Sequence, residues 1–236
     1  MPKVFIGVGH GGSDPGAVAN GLRESDLNLS IALACAEKLE RHGVTVGMSR
    51  KTDVDDPISE VIRECNAFKP DLAVDIHNNA GGGHGSEVFY SRVGGTGKTL
   101  AENIEKQYKT SGRKSRGVKT KLNKFGYDYY GFIRETSAPA IIVECAFVDS
   151  SDYVFVNDKE KQKKFGEYIA KGILDTLGIP FVDKNTINQI PSDPSSTNGV
   201  KYRVIAGSYK SKENANKTVE SLSKIGYSAF IIEYKK

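Results

Sequence analysis

Residues 3–12, KVFIGVGHGG, hold an apolar run that breaks into glycines around one histidine, His10. A short apolar run closed by turn residues reads as a buried strand. The loop after it admits two readings. Gly7-Val8-Gly9-His10-Gly11-Gly12 fits G-x-G-x-x-G, the fingerprint of dinucleotide phosphate loops. That fingerprint needs its last glycine to open a helix whose N-terminus holds the phosphates. Here Gly12 leads into Ser13-Asp14-Pro15-Gly16, and the second strand-like segment ends in Arg50 rather than an acid. The loop is therefore read as a mount for His10.

Working outward, residues 1–180 alternate strand-like and helix-like segments. This predicts an α/β domain with a twisted, mostly parallel sheet and helices on both faces. Ser25 is expected to cap a helix reaching about Arg41, with Gly43 as its stop. Residues 44–48 read as a second strand. Asp56-Pro57 opens a helix whose apolar positions Ile58, Val61, Ile62, Cys65 and Phe68 recur at helical spacing. DLAVDIH, ending at His77, and SEVFYS are the next strands. A helix over 99–109, a long loop over 110–130 and a doubly buried strand in APAIIVECAFV follow. A lysine-rich helix over 158–177 closes at Gly178. Residues 181–200, polar and rich in proline and serine, read as a linker. Residues 201–236 form a second, small β-α-β unit.

Charged residues make up 26% and hydrophobic residues 38% of the 236, as expected of a soluble globular protein. No apolar run approaches the roughly 20 residues of a bilayer span, so membrane insertion is not expected. A net charge of +4 favours an anionic partner but falls short of a nucleic-acid signature, so no nucleic-acid partner is expected. Lys3 leads straight into the first strand, which implies synthesis in the cytoplasm without a signal peptide. Cys35, Cys65 and Cys145 lack paired spacing, which implies a reducing site of synthesis, and Cys35 and Cys65 lie in helical apolar patterns as buried small hydrophobes.

RVGGTGKT, residues 92–99, nearly matches a nucleotide-binding P-loop. It fails at Arg92, where the loop needs glycine to wrap phosphate. Chemistry concentrates elsewhere. His10 follows the first strand, His77 ends the third and Glu144 stands near the end of AIIVE, at strand ends where α/β sheets bind ligands. Two imidazoles and a carboxylate are a zinc-type donor set, with a coordination position left for water. His42 is explained by its helix C-terminus, and His84 reads as an exposed loop residue, with a substrate contact as the alternative.

Four stretches, GHGGSDPGA, LRESDLN, DIHNNA and ETSAPAIIVECAFVDSSD, together resemble the zinc-dependent N-acetylmuramoyl-L-alanine amidases of phage and bacterial endolysin type. The resemblance spans nearly all of residues 1–180. It implies one Zn²⁺ per chain, bound by His10, Glu24 and His77, and a catalytic carboxylate at Glu144. Spacing alone leaves Asp14, Glu24 and Asp26 as equal candidates for the third ligand; only the family pattern favours Glu24. Asp75 stands where the family usually has serine, and Ala146-Phe147 where it has Gly-Phe. Asp75 would share a strand face with His77 and could orient it, or be a neutral variation.

The implied activity is hydrolysis of the amide between N-acetylmuramic acid and the first L-alanine of bacterial peptidoglycan. A lysin acting on the cell wall after release fits the missing leader. A zinc peptidase of the stem peptide and a non-catalytic wall-binding protein are the alternatives. Lys and Arg between 106 and 124 suit an anionic wall, or are simply a solvated loop. Residues 201–236 resemble half of a SPOR-type wall-binding unit. Thirty-six residues bury too little surface to stand alone, so a homodimer through this tail is expected, with docking on its own catalytic domain as the alternative.

Overall fold

The computed structural model describes residues 1–182, 208–224 and 229–233, and the chain divides into two units, Met1–Phe181 and Val182–Lys236. In the first unit, strand β1 (Lys3–Val8) is buried along nearly all its length, as an unbroken apolar run covered on both faces should be. A short ribbon of β2 (Val18–Ala19) and β3 (Leu22–Arg23) leads into helix α1 (Glu24–Arg41). Then come β4 (Thr45–Met48), α2 (Ile58–Phe68), β5 (Leu72–Asn79), β6 (Ser86–Tyr90), α3 (Gly95–Thr110) and β7 (Ser115–Lys119). Helix α4 (Gly131–Glu135), β8 (Ala140–Phe147), a 3-10 turn at Ser151–Phe155 and α5 (Lys159–Leu177) complete it.

Six strands form one sheet in the order β4-β1-β5-β8-β6-β7. The first four run parallel; β6 is antiparallel to β8 and carries β7 parallel to itself. One face is covered by α1, α3 and α5, where Ile31, Cys35, Ile104 and Ile169 pack on Ile6, Val74 and Val143. Among the described residues, the other face is covered only by α2 and the five-residue α4, where Val61, Cys65 and Phe132 meet Phe5, Ala73 and Ala140. That thinner cover leaves the carboxyl ends of β1, β5 and β8 accessible from one side, and the site forms there.

Several expectations are corrected. Ser25 does not cap α1. Arg23 is the N-cap residue with no side-chain cap bond, and Ser25 lies fully buried inside the first turn. The first amides are met by the preceding loop instead: Glu24 donates to the Ala17 carbonyl and Ser25 to that of Pro15. Such backbone partners satisfy the helix start without a side chain. Helix α3 begins at Gly95 rather than 99, because Leu100, Ala101 and Ile104 bury completely and draw poor helix formers along. The expected loop over 110–130 contains β7 and precedes α4. Strand β7 reads SRGVK, too polar to show alternation, because it is an edge strand.

The three cysteines are free and buried, and burial raises their thiol pKa values. In the second unit, the helix of the expected β-α-β unit is α6 (Lys212–Lys224). Its Lys212 pairs with Glu233 at 2.7 Å. The strand expected before α6 falls largely outside the described residues, as does most of the expected linker. Of the strand expected after it, residues 229–233 are described and form no strand. Among the described residues, no helix is long and apolar enough to cross a membrane.

Candidate metal centre and active site

The glycines of the opening stretch are explained by the neighbouring strand. Gly7 pairs with Asp75 in the β1–β5 register, and a Cβ on Gly7 would stand 2.5 Å from Asp75 Oδ1. A Cβ on Gly9 would collide with the His77 ring. The absent side chains make room for two side chains of β5. His10 itself has φ +62°, a left-handed conformation uncommon for a residue with a Cβ. This backbone is held by the Gly11–Asp14 bridge and turns the imidazole back over the strand ends.

Three side chains converge there. His10 Nε2 lies 3.3 Å and His77 Nδ1 3.1 Å from the same atom, Glu24 Oε1. The two rings stand edge to face with centroids 5.2 Å apart. Each ring presents its opposite nitrogen to another carboxylate. His10 Nδ1 donates to Asp14 Oδ2 at 2.8 Å, and His77 Nε2 to Asp75 Oδ2 at 3.3 Å. A carboxylate accepts only, so without a cation each ring donates from both nitrogens, the inner ones to Glu24. A cation at the inner position displaces that proton while the outer one stays on its own carboxylate.

Glu24 is buried at the first position of α1 and is held from several sides. Its Oε2 accepts from the Ala17 amide at 3.0 Å, and Oε1 from the Asn78 amide at 3.2 Å and Asn28 Nδ2 at 3.3 Å. Burial alone would raise its pKa, but hydrogen bonds from His10, His77 and the Ala17 amide hold it far below the usual range. The His10 pKa is raised chiefly by its bond to Glu24, against the opposing effect of burial. Burial opposes the charged form of His77, yet Asp75, Glu24 and Glu144 together hold its pKa well above normal. Protons and a metal ion therefore compete for the same nitrogens.

The donor atoms of His10, Glu24 and His77 lie within 4.8 Å of one another. Two imidazoles facing one buried carboxylate, with Asp14, Asp75 and Glu144 alongside, are an anionic nest that fits a single small cation.

Glu144 is opposite His77 in the β5–β8 pair and opposite Glu87 in the β6–β8 pair. Its Oε2 is shut off from solvent and has no hydrogen-bond partner among the described residues. Burial, reinforced by the nearby Glu24, Glu87 and Asp75 and opposed by His77, pushes the Glu144 carboxyl up to about 7. A cleft of about 590 Å³ runs from His10 and His77 past Asp75 and Tyr130 to Ile58 and Phe132.

The structure thus brings His10, Glu24, His77 and Glu144 together at the carboxyl ends of the interior strands β1, β5 and β8. Asp14 and Asp26 separate from Glu24: Asp14 backs His10, whereas Asp26 is exposed near Arg23. Sequence reasoning missed Asn28 and Asn78, which bond to each other at 2.9 Å and brace Glu24. Their signals were positional: Asn28 lies one helical turn after Glu24, and Asn78 directly follows His77.

Glu87 was also missed. It is buried and accepts from Lys119 Nζ at 2.5 Å, Arg116 Nε at 2.6 Å and Asn79 Nδ2 at 2.9 Å. Burial works to raise its pKa, but Lys119 and Arg116 pull it below the usual value. A depressed carboxyl stabilises the fold fully above its unfolded pKa, near 4.3, and loses that contribution as pH falls through the folded value. Glu87→Gln is expected to cost about 1–2 kcal/mol at pH 7, moderated by solvent screening of Arg116 and Lys119. Urea unfolding should show the gap between mutant and wild type closing as the pH falls from 5 to about 3.

A mostly parallel sheet that gathers a His-Glu-His donor set beside a carboxylate with no partner among the described residues defines an α/β protein with a candidate metal centre. The chain belongs to the N-acetylmuramoyl-L-alanine amidase family, whose match covers residues 4–175, and a SPOR domain match covers residues 182–233. It is 33% identical over 239 residues to the N-acetylmuramoyl-L-alanine amidase CwlM of Bacillus licheniformis, across 98% of this chain and 85% of that one. It is 32% identical over 203 residues to the endolysin of Bacillus phage SPP1, across 82% of this chain and 72% of that one. Cwp6 from Clostridium difficile superposes with a TM-score of 0.73 at 41% identity, over 75% of this chain and 29% of that one. The SPOR match takes in the stretch read as a linker and is longer than the 36-residue tail. The size argument for a homodimer through residues 201–236 therefore lapses, and nothing among the described residues supports one.

Proposed function

We propose that this chain hydrolyses the amide joining N-acetylmuramic acid to L-alanine in peptidoglycan, as a lysin, with one zinc ion held by His10, Glu24 and His77. The observation that carries this reading is the convergence of His10 Nε2, His77 Nδ1 and Glu24 Oε1 beside the unpartnered Glu144 Oε2, in a chain of this family. Zinc, when bound, supplies a Lewis acid that polarises a carbonyl and lowers the pKa of water towards about 7.

The chain's own residues supply the rest. Asp14 and Asp75 hold the two imidazoles in the tautomer that offers the inner nitrogens. Asn28 and the Asn78 amide fix the Glu24 carboxylate against them. The Glu144 carboxylate accepts the proton of the attacking water and returns it to the departing alanine nitrogen. Burial raises the Glu144 carboxyl and a bound cation would lower it again, so the two opposing effects set its readiness to take and return a proton. Residues 1–180 carry this chemistry, and the SPOR match in the second unit supports attachment to the wall.

Mass spectrometry of products from defined wall fragments tests the reaction. The expected products are a glycan fragment and an intact stem peptide with a free L-alanine amine. Chelation should abolish the reaction and added zinc restore it. Release of terminal amino acids from the stem would overturn the amidase reading in favour of a peptidase.

A further inference from the structure

Among the described residues, exposed aromatic rings gather between β7 and α4. Phe125 is 71%, Tyr127 57% and Tyr129 51% exposed. Rings on a loose loop could fold back onto the surface, but this loop is pinned. The Asn123 amide donates to the Tyr127 carbonyl, and the Tyr129 amide to that of Lys121, both at 2.8 Å. Arg134 donates to the carbonyls of Asp128 and Tyr129, while Asp128 accepts from Ser91 Oγ and the Arg92 amide. The fold therefore holds the rings in water, and apolar surface kept exposed in this way marks a contact surface.

Cations are interleaved with the rings. Lys124 Nζ lies 5.0 Å from the Phe125 centroid, Lys121 Nζ 4.1 Å from Tyr129, and the Arg92 guanidinium 5.9 Å from Tyr127. Residues 113–124 contain six Lys or Arg and no acid. The loop is continuous with the active cleft: Tyr130 lines that cleft with His10 and His77, and its ring centroid is 5.2 Å from that of Tyr129. Another part of the cleft lining is acidic, with Asp14, Asp55 and Asp56.

We propose that residues 121–130 form a stacking platform for the glycan strand of the wall, alongside the cleft, so that long strands bind better than single repeats. The inference rests on the amidase reading for its substrate. A pyranose ring presents a face of C–H groups that lies flat on an aromatic ring, and Tyr127, Tyr129 and Phe125 offer such rings. Carboxylates of the stem peptides attached to the strand meet Lys121, Lys124 and Arg92. The acidic lining repels those same carboxylates, which leaves the basic, aromatic rim as the approach for the polymer.

The test compares the wild-type chain with Tyr127→Ala/Tyr129→Ala on two substrates, a single soluble disaccharide-peptide and soluble strands of many repeats. KM for strands should rise roughly tenfold, with kcat and KM on the single repeat unchanged. Tyr127→Phe/Tyr129→Phe should behave as wild type, because stacking needs the ring and not the hydroxyl. Equal losses on both substrates, or none on either, would overturn the platform. A second measurement is independent of turnover and of the SPOR unit. In the full-length Glu144→Gln chain, the ring NMR signals of Tyr127 and Tyr129 should shift as uncut strands are added, and unmoved signals overturn the proposal. Shifted signals together with a wild-type chain that cuts nothing would support the platform and sink the amidase reading instead.

Discussion

Glu144→Gln is expected to keep the fold and the bound metal while lowering kcat by roughly 10²-fold or more. Glutamine matches the shape of the carboxyl but cannot carry the proton from water to the departing amine. The mutant should also report on burial. A carboxyl raised to about 7 in the metal-free chain costs stability as pH climbs from the unfolded value, near 4.3, through 7. Removing it should therefore raise the melting temperature of the metal-free chain at pH 8 and leave it unchanged at pH 4. With the cation site filled, the adjacent positive charge lets Glu144 ionise at lower pH. Product formation by quenched assay and metal content by elemental analysis check the two halves of the claim. Near-normal turnover would make Glu144 structural and require another base.

His77→Ala should produce the second large effect. Only His10 and Glu24 of the donor set then remain, and the protein should purify with little zinc and no measurable hydrolysis. Asp75→Asn separates holding the metal from aiming the ligand. It keeps the shape beside His77 but removes the carboxylate that fixes the ring proton at Nε2. Zinc affinity, read by competition with a chromophoric chelator, should fall roughly 10- to 100-fold, between wild type and His77→Ala. Full zinc occupancy in His77→Ala would sink the ligand assignment. Unchanged affinity in Asp75→Asn would make that residue a neutral replacement for serine.

The parallel core was legible because its strands are short apolar runs punctuated by glycine, and His10, His77 and Glu144 stand at the ends of three of them. Residues that end adjacent parallel strands must meet. Glu24 was legible only through the family pattern. It reaches the site because the β2–β3 ribbon folds the chain back and delivers the first turn of α1, a path that local spacing does not encode. The short cover of the second face was hidden for a related reason. Helix α4 is a single turn fixed by Phe132 and Ile133 in the core, and five residues hold too little periodicity to read. The polarity of β7 concealed it in the same way. The reversed direction of β6 was equally invisible. It brings Glu87 beside Glu144, and strand direction is decided by connections and packing rather than by strand composition.

The glycines of residues 7–12 have a consequence for how such sequences are compared. They imitate a phosphate loop because both sites need a backbone stripped of carbon, one to admit an anion and the other to admit a neighbour's ring. At Gly9 the volume that a methyl group would claim is already filled by His77, and at Gly7 by Asp75. The two strands fit as negative and positive casts of each other. What these positions hold open is an empty space, and its owner is the residue on the adjoining strand.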